Sequence, residues 1–335
     1  FYRCWQYSLD APLASAPITD NGTVFLPESD GKLRALDSEN GTTKWSVELG
    51  GFLVSNLMIE KSDIYVVTSP APDRGIAPSR SYIRVINAVS GITKKSIEVP
   101  YSQRFYVFVI GNSLLVVDRT GTITSFDLTS GEASWIRHLG SEVTVPPSIS
   151  DRFISIALKD GAARVIDTES GSVAAYLKTE HRLTSIELHG QGRLLIGDER
   201  GNVLSYTVGS TTPEWRYKIG GAVASISAGG DDVLVTSLDN FLYSMDPASG
   251  SVNWRKRLSG RAIYAPLWSE GKVFTPTIGE STVMVSDLSS GKTVNRIELG
   301  EDMYPLQVPS VTGTGNIIFS IPGSIIAFGA QSCSK

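Results

Sequence analysis

Hydrophobic residues in this chain come in short runs of four to six, and polar turns separate the runs. The clearest stretch carries Val24, Phe25 and Leu26 behind Gly22. Next comes Asp30 to Asp37 (Asp-Gly-Lys-Leu-Arg-Ala-Leu-Asp), then Gly41, then a run led by Trp45 that ends at Leu49. Apolar runs of this length, bounded by Gly, Asp, Asn and Ser, predict antiparallel strands joined by tight turns. The Asp-Gly and Asn-Gly pairs suit turns that need positive φ. No run has the ten or more residues of a helix.

The unit recurs. The position held by Asp37 falls again at Asn87, Asp127, Asp167, Thr207, Asp246 and Asp287, at spacings of 50, 40, 40, 40, 39 and 41 residues. Eight residues after it comes Trp45, and in later copies Trp135, Trp215 and Trp254; Lys95, Ala175 and Asn295 hold that position elsewhere. The spacing of 50 contains a Pro-rich insertion at 69–80 in the second copy. One such unit cannot bury both of its faces alone, but units stacked around an axis can. The pattern therefore predicts an all-β fold, an eight-bladed β-propeller of four-stranded antiparallel blades forming a single domain over 1–335. The count comes from the ends. A last partial copy, from Asn316 to Phe328, stops before its Trp strand, and Trp5 to Leu9 matches Trp45 to Leu49. The amino-terminal strand is expected to complete the last blade and close the structure.

Within this plan Trp5, Trp45, Trp135, Trp215 and Trp254 are expected to fill gaps between adjacent blades. Asp37, Asp127, Asp167, Asp246 and Asp287 are expected to accept backbone hydrogen bonds in the turn before each Gly. The chain has two cysteines, Cys4 and Cys333. In the closed plan they fall about three positions apart across the seam, so a disulfide is expected between them. Such a bond points to an oxidising compartment.

Composition changes this picture little. The chain is 41% hydrophobic and 19% charged with a net charge of -4, and it lacks a strongly basic run, which argues against nucleic acid as a partner. No stretch approaches the 18 apolar residues of a transmembrane segment. As an isolated domain the chain is expected to be monomeric.

The run from Asp30 to Asp37 followed by Gly41 and Trp45 closely resembles the repeat of quinoprotein-type (PQQ-repeat) propellers, and the resemblance covers essentially the whole chain. In size and plan the chain resembles the BamB family, lipoproteins of outer-membrane β-barrel assembly. That resemblance implies eight blades, no cofactor, and partner proteins held by loops between blades. The Ser-Leu-x-Leu-Arg-like contact run of that family has no match here; the equivalent connection Thr179 to Leu183 carries Arg182 and Leu183 in reverse order.

The residues offer no catalytic set. The related quinone enzymes use a vicinal cysteine pair and a calcium-binding Glu-Asn-Asp set, whereas Cys4 and Cys333 lie far apart in sequence. His138, His181 and His189 show no metal-ligand spacing. Nucleophile elbow, phosphate loop and dinucleotide fingerprint are all missing from the sequence. The expectation is a non-catalytic protein-binding scaffold without metal or cofactor. It would act outside the cytoplasm (periplasmic, secreted or luminal), with membrane-associated assembly components among its partners. The alternative is a small-molecule enzyme or ligand-binding protein using the central funnel. Candidate partner-binding residues are Arg74 and Arg80 in the insertion, Tyr101, Arg104 and Phe105 in the connection after it, and Arg182. Sequons at Asn21 and Asn40 coincide with predicted turns.

Overall fold

The computed structural model describes residues 1–71, 78–150, 152–190, 192–229 (backbone only at 228 and 229) and 231–331. Every regular element among them is a strand. The strands form eight antiparallel sheets, the blades of an eight-bladed β-propeller. Blades one to seven cover 18–48, 52–100, 105–138, 148–178, 183–218, 223–257 and 267–298. The eighth joins Ser310–Val311, Ile317–Ile321 and Ser324–Gly329 to the first strand of the chain, Tyr2–Ser8.

Burial is highest in the middle strands and falls to the fourth strand, and the sequence explains why. Second strands such as Thr23–Pro27 and Ile317–Ile321 are buried at every position, so they carry continuous apolar runs. Fourth strands such as Thr43–Glu48 alternate between half-buried and exposed positions, so they mix one large aromatic with Lys, Glu and Ser. This is what a sheet covered on both faces at its middle and bare at its last edge requires.

The closing strand pairs antiparallel with Ser324–Gly329, from Tyr2 opposite Gly329 to Ser8 opposite Ser324, with a bulge between Arg3 and Trp5. The same bulge precedes Trp45 and Trp254 in their sheets. It skips Lys44 and Asn253, and an extra residue there turns the strand and strengthens its twist. Blade two departs from the regular plan. Its first strand is broken into Phe52–Leu53 and Met58–Glu60, both paired with Asp63–Ser69. In the gap the Ser55 hydroxyl accepts the Val67 N–H at 2.8 Å. The Asn56 side chain exchanges two 2.9 Å hydrogen bonds with the Val107 backbone, which sews blade two to blade three.

One expectation is corrected. The expected disulfide between Cys4 and Cys333 is not carried forward, because Cys333 lies outside the described residues. The seam is defined by its strand pairing and by Trp5, which packs with Val24, Leu36 and Ile325.

The chain forms two compact units: Phe1–Arg119 with Phe126–Ser134 and Pro305–Lys335, and Thr120–Ser125 with Trp135–Tyr304. The first has apolar clusters around Phe25, Leu33 and Ile64, and around Tyr65, Val107 and Phe105. The second is built around Leu183, Leu194 and Ile196, and around Val233, Val235 and Tyr243.

Candidate partner-binding surface

The recurring Trp and Gly positions meet across neighbouring blades. A β-carbon on Gly41, Gly91, Gly171, Gly250 or Gly291 would fall 2.7, 2.7, 2.6, 2.5 or 2.5 Å from the indole of Trp5, Trp45, Trp135, Trp215 or Trp254. The indole N–H groups of Trp5, Trp45, Trp215 and Trp254 donate to the carbonyls of Ser38, Ala88, Pro247 and Leu288 at 3.1, 3.0, 3.0 and 2.7 Å. Trp135 is the exception: its indole N–H is buried without a hydrogen-bond partner among the described residues. Lys95, at a Trp position, reaches over Gly131 and donates to the Ser130 carbonyl at 2.8 Å.

The recurring aspartates sit in these covered turns, that of Asp127 under Lys95 and the others under tryptophans. Asp127, Asp167, Asp246 and Asp287 accept the N–H of Ser130, Ser170, Ser249 and Ser290 at 2.8, 3.0, 2.7 and 2.9 Å, and Asp37 accepts Glu39 and Asn40 at 3.0 and 3.2 Å. These donors favour the charged form. The Ser170 N–H, helped by Arg152, holds the Asp167 carboxyl down at about 2. Carboxylates occupied in this way are turn acceptors and are poorly placed to act as bases.

The loops carried by this scaffold bring several candidate residues together in the first unit. Arg80 opens a strand opposite Pro100 and forms an ion pair with Glu98. Next to it the Tyr101 N–H donates to the Ser79 carbonyl at 3.1 Å. Buried Ser102 pins the connection: its hydroxyl donates to the Arg104 carbonyl at 3.1 Å and accepts the Arg119 N–H at 3.3 Å. The exposed Arg104 guanidinium lies 5.3 Å over the Tyr106 ring. Arg119 donates to the Gln103 side chain at 2.8 Å. Arg80, Tyr101 and Arg104 thus form one cationic and aromatic patch, which Gln103 and Arg119 extend.

Three other candidates fall elsewhere. Phe105 is only 2% exposed and packs in the apolar cluster with Tyr65 and Val107, so its side chain is not available to a partner. Arg74 lies outside the described residues. Arg182 belongs to the second unit and is paired with Glu199 at 3.4 Å. Arg119 gave no signal in the sequence, because its turn reads like every other Gly turn of the repeat.

Among the described residues no cluster of three His, Cys, Asp or Glu is placed to hold a metal ion. A cleft of about 340 Å³ in the first unit is lined by Thr19, Asp20, Asn21, Ser38 and Thr312, without a nucleophile–base pair. No helix among the described residues is long and apolar enough to cross a membrane.

A family model described as outer membrane protein assembly factor BamB matches residues 3–174 and 199–312. The chain belongs to the BamB family. Outer membrane protein assembly factor BamB of Yersinia pestis is 24% identical over 214 residues, which cover 59% of this chain and 51% of that protein. The BamB of Moranella endobia (strain PCIT) is 25% identical over 164 residues, 49% of this chain and 37% of that protein. The chain thus spans about half, or less, of the curated BamB relatives it matches. Among solved structures, BamB from Moraxella catarrhalis superposes with a TM-score of 0.73 at 13% identity, covering 97% of this chain and 98% of that one. The C-terminal WD40 domain of Sif2 gives 0.80 at 13% identity, covering 98% of each chain. A computationally designed protein, Ika8, gives 0.79 at 14% identity, covering 96% of this chain and 98% of that one. At such identities these structures speak for the fold alone.

Proposed function

We propose that this chain is a non-catalytic scaffold of outer-membrane protein assembly that works outside the cytoplasm. It holds partner proteins on the loop surface around Arg80, Tyr101, Arg104 and Arg119. The observation that carries this reading is the match of most of the chain to the BamB family model. The loop surface supports it, since Tyr and Arg are favoured anchors of protein interfaces. So does the occupation of the recurring aspartates by turn N–H groups. The outer membrane named in the family description supports an extracytoplasmic location.

Affinity capture of the tagged protein from its native envelope tests the reading. Identified outer-membrane assembly proteins are expected to co-purify, and Arg104→Glu with Arg119→Glu is expected to deplete them while the fold stays intact by circular dichroism. Fractionation of the protein with the cytoplasm, or an envelope capture without any assembly protein, would overturn it.

A further inference from the structure

The fourth strands of this propeller carry many cations, and most are already engaged. Lys44 donates to the Gly22 carbonyl and Thr23 at 2.8 and 3.0 Å, and Lys94 is paired with Asp63. Arg137 donates to the Gly171 carbonyl at 2.9 Å, and Lys178 to the Asp160 carbonyl. Arg216 binds the Asn202 side chain at 2.8 Å, and Lys218 binds the Arg200 carbonyl. Blade six breaks this habit. Its fourth strand, Val252–Arg257, carries Arg255, Lys256 and Arg257 in succession, and Arg261 follows. Among the described residues the side chains of these four make neither a hydrogen bond nor an ion pair. Arg3 and Arg296, also unengaged, are single arginines on their strands.

The strip is ordered. Trp254 is buried on one face of the strand, so Arg255 and Arg257 share the other face and are exposed there. Residues two apart on a strand lie about 7 Å apart on one face. Arg255 lies 5.6 Å over the Phe241 ring, which sits 6.1 Å from that of Tyr243. A stacked guanidinium is already oriented, and its N–H edges remain open to a carboxylate. The strand is outermost in its sheet. Cations on such an edge discourage apolar strands from adding to it. In a chain of net charge -4, this is a local concentration of the opposite sign.

We propose that the fourth strand of blade six is a docking strip for an acidic, extended segment of a partner protein, whose carboxylates at alternate positions meet Arg255 and Arg257. The match is one of charge and of the two-residue period. It is separate from the loop surface of the first unit and does not depend on the family reading.

Fluorescence anisotropy of the purified protein with a labelled alternating Thr-Glu peptide tests it, with a Thr-Gln peptide as the neutral probe. The Thr-Glu peptide is expected to bind saturably and the Thr-Gln peptide not. Arg255→Glu with Arg257→Glu is expected to weaken binding by at least about tenfold, since two charge pairs become repulsive. Lys292→Glu with Arg296→Glu on blade seven makes the same change in net charge and is expected to leave binding within about twofold. Equal losses in the two double variants would overturn the proposal, because net charge alone would then account for binding. Absence of saturable Thr-Glu binding would also overturn it. Binding of phosphatidylglycerol vesicles without binding of the peptide would overturn it in favour of a lipid surface.

Discussion

Gly250 shows how much one missing carbon does in this repeat. Its φ is 73°, and a β-carbon there would lie 2.5 Å from the Trp215 indole. Gly140 has a φ of 74° with nothing within 4 Å of its β-carbon position. Alanine at either site meets the left-handed backbone cost of about 1 kcal/mol. Only Gly250→Ala must also displace an indole, which adds on the order of 2 kcal/mol. Urea unfolding should separate the two variants by that margin, and equal losses would refute the stacking account. Asp167 gives a pH prediction. Its carboxyl is lowered from 3.8 to about 2, so the unfolded chain takes up the proton first as pH falls. Its contribution is complete above about pH 4 and is lost as pH drops through about 2. The stability gap between the wild type and Asp167→Asn should therefore close over that window in urea midpoints. A gap that stays constant would contradict it. At this scale the sequence was partly legible. The Asp and Trp positions stood out because they repeat. Phe105, a candidate for partner binding or for packing under the neighbouring blade, packs there: it begins the alternation in which Phe105, Val107 and Val109 are buried and Tyr106, Phe108 and Ile110 are half-buried.

At the scale of elements, the blade boundaries were legible because each blade repeats one linear pattern, and the split last blade was legible because Trp5 to Leu9 repeats Trp45 to Leu49, the strand that the copy from Asn316 to Phe328 lacks. The bulges were not. The extra residue before Trp45 and Trp254 leaves the Asp-to-Trp spacing at eight, the same as in the copies of Trp135 and Trp215. The broken first strand of blade two was also hidden, since strands of two and three residues carry almost no apolar periodicity. The closing strand makes the strongest prediction here. Deleting residues 1–8 strips the partner from Ser324–Gly329, whose six residues are all buried. A bare, largely apolar edge invites self-association. Light scattering coupled to gel filtration should show oligomers or aggregates, with a less cooperative thermal transition. A monomer melting like the intact chain would show that closure contributes little.

For the whole molecule, fold and function were unequally written in the sequence. The fold rests on a pattern stated eight times, whereas the proposed loop surface is assembled from connections that differ from blade to blade. Arg80, Tyr101, Arg104 and Arg119 lie within about forty residues of chain, yet only the pairing of Arg80 with Pro100 and the Ser102 hydrogen bonds place them together. No period could have announced that. Family membership supports the proposed use of that surface, and the exposed cations of blade six are proposed as a separate docking strip on the second unit. Photo-crosslinking in the native envelope from a photoreactive residue in place of Gln103 tests the central claim most directly, with the same residue at exposed Val294 as the comparison. The account predicts crosslinks from position 103 to an identified outer-membrane assembly protein and none from position 294. Crosslinks to that protein from both positions alike, or from neither, would contradict it.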